Sequence, residues 1–384
     1  MSERATTVEG VRRTNLGEVL RLVHHGGPRS RAVITSETGL NRSTVSDLVS
    51  RLVDGGLVVE RDPDPTRRVG RPSPIVAASR DVVAIGVNPE IDAVEVGAVS
   101  LGGAVRIRAR VDIAHPAEAD VVDIVVRTVD AWRADALRGC RIVGVGVAVP
   151  GLVRTEDGLV RLAPHLKWYD ADIAGPLQEA LGLPVVVGND ASFGARAERL
   201  FGAAREHENV VYLNGGASGI GGGLILHGRL IGGAGGYAGE WGQTVASLAD
   251  PADSRVGGGV LEDEVNRARL VRAAGLTAPD DAELERGLTA TQAAVEETAR
   301  QRRILAATLG NAVNVLNPSA IVLGGFLGSL RDVDRAGFDE GVRSRALAVS
   351  AEDLQLASAA LGENRLLIGA ADAAMEPLLS DPLG

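Results

Sequence analysis

An amide and a carboxylate stand side by side at Asn189-Asp190, just after a buried-strand pattern and just before a helical one. A second carboxylate, Glu240, lies inside the glycine-rich run from Gly232 to Gly242. Such groups give and take several hydrogen bonds at once, which is the chemistry of a site for a polyhydroxylated ligand. Carboxylates at strand ends of α/β proteins commonly face the cleft. Asp190 also fits a plainer duty, capping a helix N-terminus by accepting backbone N–H bonds. A third loop, Pro150-Gly151-Leu152-Val153, likewise follows a buried strand pattern.

The elements that must carry these loops are legible as alternating patterns. Residues 82–87, 93–100, 105–112, 142–147 and 184–187 read as strands, with helices near 120–138 and 173–181. A second series starts with strands at 209–213 and 221–226, turns mostly helical, and includes a strand at 320–323. This order predicts two mixed α/β lobes. Helical stretches at 293–316 and 366–379 serve either as core or as contacts between copies.

The first 80 residues differ in kind. They hold 13 arginines against nine carboxylates, a balance of +4, which leaves −14 for the remainder of a chain whose net charge is −10. A basic head on an acidic body predicts one face for nucleic acid. Leu16, Val19, Leu20 and Val23 predict a helix over 15–25, ended by Gly26-Gly27 and Pro28. Ser30 caps a second helix reaching Glu37, Gly39 supplies its exit, and Asn41 or Ser43 caps a third. In the third, Val45, Leu48, Val49 and Leu52 form an apolar stripe and leave Arg42, Ser43, Thr44, Ser46 and Arg51 on other faces, as a major-groove helix requires. Leu57 to Glu60 and the Asp62-Pro63-Asp64-Pro65 turn predict a wing. Arg67, Arg68 and Arg71 follow in an extended strip that reads either as a minor-groove contact or as a solvated linker. The whole predicts a winged helix-turn-helix bound to double-stranded DNA, without the aromatic platform that single strands demand.

At 384 residues, 45% of them hydrophobic, several domains with ample core are expected. No apolar run is long enough to span a bilayer and the start has no apolar signal segment, so a cytoplasmic protein without a membrane partner is expected. Cys140 is the only cysteine, which excludes an internal disulfide and a multi-cysteine zinc site. His24, His25, His115, His165, His207 and His227 lack ligand spacing and read as surface or hydrogen-bonded histidines.

Together these motifs resemble the ROK family of sugar kinases and sugar-responsive repressors, nearly end to end. The carriers are Arg71-Pro72, Val149-Pro150-Gly151, Ala163-Pro164-His165-Leu166-Lys167-Trp168, Asn189-Asp190-Ala191, Gly219-Ile220-Gly221-Gly222-Gly223, Ala238-Gly239-Glu240-Trp241-Gly242, Leu261-Glu262 and Ile321-Val322-Leu323-Gly324-Gly325. The resemblance implies an actin-like, ribonuclease H-like sugar kinase fold behind the head. It divides the chain into a DNA-binding domain and linker (1–80), a first lobe (81–200) and a second lobe (201–384) whose last helix returns to the first. It also implies a sugar pocket of His165, Asn189, Asp190, Glu240, Gln243 and Glu262, with His165 and Gln243 as substitutions. Asp190 holds the position of the kinases' general base.

Two departures separate this chain from the family's kinases. Where a phosphate loop is expected stands Asn88-Pro89-Glu90-Ile91-Asp92, in which proline removes an N–H and two carboxylates repel polyphosphate. The second glycine loop, Asn214 to Gly219, is better kept and reads either as a phosphate loop or as a hairpin turn. In register with the family's zinc ligands stand Gln243, Asp253, Arg255 and Val260, so no zinc is expected and packing must order the segment unless it is mobile. Neither ATP nor any other cofactor is expected. The reading is a kinase-inactive transcriptional regulator, a homodimer or homotetramer that represses sugar metabolism or transport genes under a sugar effector. The alternatives are an active sugar kinase with a DNA-binding head, or a DNA-binding oligomer without a ligand.

Overall fold

A computed structural model describes residues 8–61, 73–216, 219–246, 250–257, 259–277 and 279–384. The head opens with α1 (Val8–Gly26), β1 (Arg29–Ser30), α2 (Arg31–Thr38) and α3 (Arg42–Asp54), and closes with β2 (Val58–Arg61) and β3 (Ile75–Ala78). Helix α1 starts about two turns earlier than its apolar spacing indicates. Local chemistry sets the next two helices. Ser30 accepts from the Val33 N–H at 3.2 Å, Asn41 accepts from the Thr44 N–H at 2.9 Å, and Gly39 leaves α2 with φ 69°. Asn41 rather than Ser43 is thus the cap of α3. The stripe Val45, Leu48, Val49 and Leu52 is buried, as are Leu16, Val19, Leu20 and Val23. Strand β3 pairs antiparallel with both β2 and β1, making the paired arms of a wing. The expected turn at 62–65 and Arg67, Arg68 and Arg71 lie outside the described residues.

The chain continues through β4 (Val82–Pro89), β5 (Ala93–Ser100), β6 (Val105–Asp112), α4 (Glu118–Ala134), β7 (Arg141–Val149), β8 (Leu152–Val153), β9 (Val160–Ala163), β10 (Trp168–Ala171), α5 (Ala174–Leu181), β11 (Val185–Asn189) and α6 (Asp190–Phe201). Then come β12 (Val210–Gly216), β13 (Gly219–Leu226), β14 (Arg229–Leu230), α7 (Leu261–Glu264), α8 (Arg267–Ala273), α9 (Asp281–Gly287) and α10 (Gln292–Leu316). The last are β15 (Ala320–Gly325), α11 (Phe326–Asp332), α12 (Arg335–Arg343), α13 (Ala348–Ala351), β16 (Gln355–Ser358) and α14 (Arg365–Ser380).

Two sheets repeat one plan. The first has the order β11-β7-β4-β5-β6 and the second β16-β15-β12-β13-β14. In each, a three-strand antiparallel meander is extended beside its first member by two further strands, of which β7, β15 and β16 pair parallel. Such parallel additions need crossover connections, which α4 and α10 lie between. This is the duplicated sheet of the actin-like, ribonuclease H-like class.

The chain forms two compact units. One holds the head, the first sheet, residues 166–187 and residues 367–384; the other holds residues 150–165 and 188–366. In the first unit α14 lies on the sheet, and Gly86 and Gly146 have no side chain where the backbones of Leu367 and Ala370 come closest. Leu367, Ala370, Ala371, Met375 and Leu379 are buried there, so α14 is core. In the second unit Val211, Leu213, Ile321, Leu323 and the inner face of α10 make the core. Among the described residues no helix is long and apolar enough to cross a membrane.

Candidate functional site

All six positions of the expected hydroxyl pocket fall in the second unit, and β13 organises all of them but His165. Its glycines at 221 and 223 face Ala191 and Ala195 of α6, while Gly222 faces Trp241 and Gly239. A side chain at 222 would overlap the Trp241 ring, so the close approach of the 239–242 loop requires glycine. The Ile220 N–H donates to Glu262 Oε2 at 3.2 Å, and Gln243 Nε2 donates to Glu262 Oε1 at 2.5 Å. One strand thereby gathers the helix that begins at Asp190, the Glu240 loop and the Glu262 turn.

The duties of Asn189 and Asp190 separate cleanly. Asn189 is the cap of α6, accepting from the Ser192 N–H at 2.8 Å, and its amide donates to the Gly151 carbonyl and to Asp190, each at 3.1 Å. Asp190 occupies the first helical position and accepts from the Ala191 N–H at 2.7 Å. The capping role open to Asp190 belongs to its neighbour, and the helix N-terminus further favours the carboxylate's charge. Glu240 is exposed as a residue, but burial of its carboxyl group, and then the charge of Glu262, push its pKa above the ordinary carboxylate value. His165 is exposed in the turn after β9.

The second glycine loop forms the end of a hairpin. Asn214 pairs with Gly221 and Gly216 with Gly219 across β12 and β13, with residues 217 and 218 outside the described set. In the other unit, the corner where the family's kinases carry a phosphate loop is a tight turn. Strand β4 runs through Pro89, paired with Val94, and the Glu90 N–H donates to the Ala93 carbonyl at 2.7 Å. Carboxylates and arginines crowd it: Arg110 meets Asp92 and Asp112 at 3.0 Å each, and Arg108 meets Glu95 at 2.7 Å. Burial and the charge of Glu95 raise the Glu90 pKa, despite a 2.8 Å hydrogen bond from Asn88 and the pull of Arg110.

The register of the family's zinc ligands holds an ionic clasp. Gln243, Asp253, Arg255 and Val260 offer an amide, a carboxylate, a guanidinium and an alkyl group, which is no tetrahedral donor set. Asp253 is held by Arg303 at 2.6 and 3.0 Å. Glu264, fully buried, accepts from the Arg255 and Val256 N–H groups at 2.8 and 2.9 Å and from Arg300 Nη1 at 2.8 Å. A Leu261 N–H to Thr244 carbonyl bond of 2.8 Å and a Val245–Val260 bridge complete the fastening.

In the head, Arg42 and Ser43 are exposed at the first turn of α3, and Thr44 beside them is half-buried. Ser46 and Arg51 have internal partners: Ser46 accepts from Arg31 at 2.8 Å, and Arg51 donates to Asp47 at 3.0 Å. Sequence reasoning missed one cluster altogether. His24 and His25, which read as surface or hydrogen-bonded histidines, are both hydrogen-bonded, and the partner they share is Asp372. No local signal could have found it, because the partners are 347 and 348 residues apart.

A winged head on a duplicated kinase-type sheet defines a class, and the comparisons give it a name. The ROK family model matches residues 91–376, and the chain belongs to that family. A MarR family model matches residues 18–68, within the head. The xylose repressor of Caldicellulosiruptor bescii is 26% identical, covering 92% of this chain and 93% of that protein. A ROK family transcriptional regulator described as a homologue of the E. coli MLC protein superposes with a TM-score of 0.75 at 24% identity, over 97% of this chain and 98% of its own. A ROK glucokinase from Streptomyces griseus, solved with glucose and AMPPNP, gives a TM-score of 0.60 at 27% identity, over 77% and 99%.

Proposed function

We propose that this chain is a sugar-responsive transcriptional repressor whose head binds operator DNA and whose Asn189, Asp190, Glu240 and Glu262 bind the hydroxyls of a sugar. The observation that carries this reading is the pairing of a retained hydroxyl site with a phosphate corner filled by Glu90, Asp92 and Glu95. Polyphosphate would meet like charge there, and no loop of N–H groups replaces the missing glycines. The body therefore senses a sugar without transforming it, and holds neither nucleotide nor zinc. Repressors among its full-length relatives support the regulatory part of this reading.

Arg42, Ser43 and Thr44 would read bases while Arg67, Arg68 and Arg71 hold phosphates or the minor groove. Ser46 and Arg51 could join only by leaving Arg31 and Asp47. Two heads on a homodimer or homotetramer would match two half-sites. A sugar acts by preferring one arrangement of the protein over another, so its effect on operator affinity equals its differential affinity for the two. A kinase bearing a DNA-binding head is the second reading, favoured by Asp190 at the position of the general base. One pair of measurements tests both: operator titration with and without D-xylose, D-glucose and N-acetylglucosamine, and ATP consumption with the same sugars and magnesium. A sugar-dependent operator affinity without turnover is expected; turnover at ordinary enzyme rates overturns the reading.

A further inference from the structure

Helix α14 meets the first helix of the head along its length. Arg13 pairs with Asp381 at 3.3 Å, Arg21 meets Glu376 and also Ser380 at 2.8 Å, and Gly17 lies against the Leu379 carbonyl. His24 and His25 close the series on Asp372 Oδ1, at 2.9 and 3.0 Å. The partners fall in number as α1 rises, so the two helices run antiparallel. The arginine pairs are open to solvent and worth little. His24 and Asp372 are 1% and 2% exposed, so a change there must be felt by both helices.

The donor atoms of His24, His25 and Asp372 lie within 4.8 Å of one another, close enough for a metal ion. One hydrogen bond argues against it. The Gly102 N–H donates to His24 Nδ1 at 2.7 Å, so that nitrogen presents a lone pair and the ring proton sits on Nε2, donating to Asp372. A metal on Nε2 would need a ring stripped of both protons, whereas ligating histidines keep an N–H on the far side. The cluster is a hydrogen-bonded junction of the β5–β6 turn, α1 and α14.

The residues just before α14 meet α6, the helix that Asn189 and Asp190 begin. Glu198 is fully buried in that helix. Its carboxylate accepts from the Ala203, Ala360 and Leu361 N–H groups at 2.8, 3.1 and 2.9 Å, and the last two lie just before α14. From Arg365, α14 continues as one helix through Asp372. We propose that Asp372 is the positioning residue through which α14 holds the head, and that α14, anchored by Glu198, carries the state of the sugar site to the operator-binding surface. This input rests on the sugar-responsive reading. Packed elements with two discrete arrangements can carry such coupling.

The test uses the full chain with Asp372→Asn and the milder His25→Gln, whose ring is partly exposed. Operator affinity is measured with and without saturating D-xylose, and D-xylose binding separately by calorimetry. Wild type should show a sugar-induced change of about 5- to 150-fold. Both variants should bind D-xylose within about twofold of wild type, yet their operator affinity should change less than about threefold with sugar. A merely structural junction would weaken operator binding equally with and without sugar; that outcome, or an undiminished ratio, overturns the proposal. If D-xylose does not bind wild type, the sugar reading fails for that ligand and hydrogen exchange decides the linkage. Glu198→Gln should speed exchange in α1, and Asp372→Asn should abolish that difference; unchanged exchange in α1 overturns the proposal. A rise in thermal midpoint with zinc that Asp372→Asn removes would overturn the hydrogen-bonded junction in favour of a metal site.

Discussion

Arg300 donates to Glu264 at 2.8 Å with the two side chains 2% and 0% exposed, and the same arginine donates to the Asp253 carbonyl at 2.7 Å. This pair spans the segment that carries the family's metal ligands elsewhere. An ion pair can take over a metal's fastening role only if its charges are fully hydrogen-bonded, since removing either partner strands the other in a dry interior. Here Glu264 also accepts from backbone N–H groups of residues 255 and 256, and Glu297 takes a second edge of Arg300 at 2.7 Å.

With this clasp, stability is expected to depend on charge and not on metal. Arg300→Met should cost about 3–5 kcal/mol in chemical denaturation, while a chelator should leave the thermal midpoint unchanged. Acid should act as well. Burial works to raise the Glu264 pKa, but the Val256 and Arg255 N–H groups and Arg300 outweigh it, and the hydrogen bond from Arg303 lowers that of Asp253. Both folded values lie below the unfolded ones, so the stabilisation is complete at neutral pH. It is lost as pH falls through the ordinary carboxylate value, near 4, and then through the folded ones. Denaturation midpoints against pH, in wild type and Glu264→Gln, check the slope.

Sugar affinity should itself depend on pH through Glu240. Its raised pKa means that it gains a proton, and loses its charge as an acceptor, at a higher pH than an ordinary carboxylate. Affinity should therefore begin to fall above the usual carboxylate range as the solution is acidified. Glu240→Gln should lower neutral affinity roughly 10-fold or more, the value of a hydrogen bond to a charged group, and flatten that fall. Calorimetry across the pH range measures both; equal slopes in the two proteins would remove Glu240 from the site.

Loss of the Asp190 charge should affect binding alone. Asp190→Asn keeps the shape beside Asn189 but weakens the acceptor proposed for a sugar hydroxyl, with an expected loss of about 1.5–3 kcal/mol. A kinase would instead lose turnover through its general base. Calorimetry together with a sugar-phosphate assay separates these outcomes, and no sugar phosphate is expected from either protein.

Arginines of the head should divide by what they touch. Arg42→Ala should change sequence preference by about 1–3 kcal/mol at one base position, while Arg68→Ala should weaken all sequences alike and reduce the salt slope by about one. Arg51→Ala should do less, because Arg51 already serves Asp47. Titrations on operator and scrambled duplexes at several salt concentrations distinguish the three.

Near neighbours in the chain decided much of this protein without help from the fold. Ser30, Gly39 and Asn41 bound two helices of the head by hydrogen bonds spanning three or four residues, and apolar periodicity placed most strands of both sheets. The chemistry of Pro89, Glu90 and the lost zinc ligands was likewise visible as residue types. Tertiary structure decided what periodicity cannot encode. It repeated one sheet order twice, gave the cap of α6 to Asn189 and the first helical position to Asp190, and brought Glu264 to Arg300. It also set His24 and His25 against an aspartate nearly a whole chain away. Local signals reach only a few residues, whereas a buried charge finds its partner wherever the packed interior leaves the one hydrogen-bonding place for it.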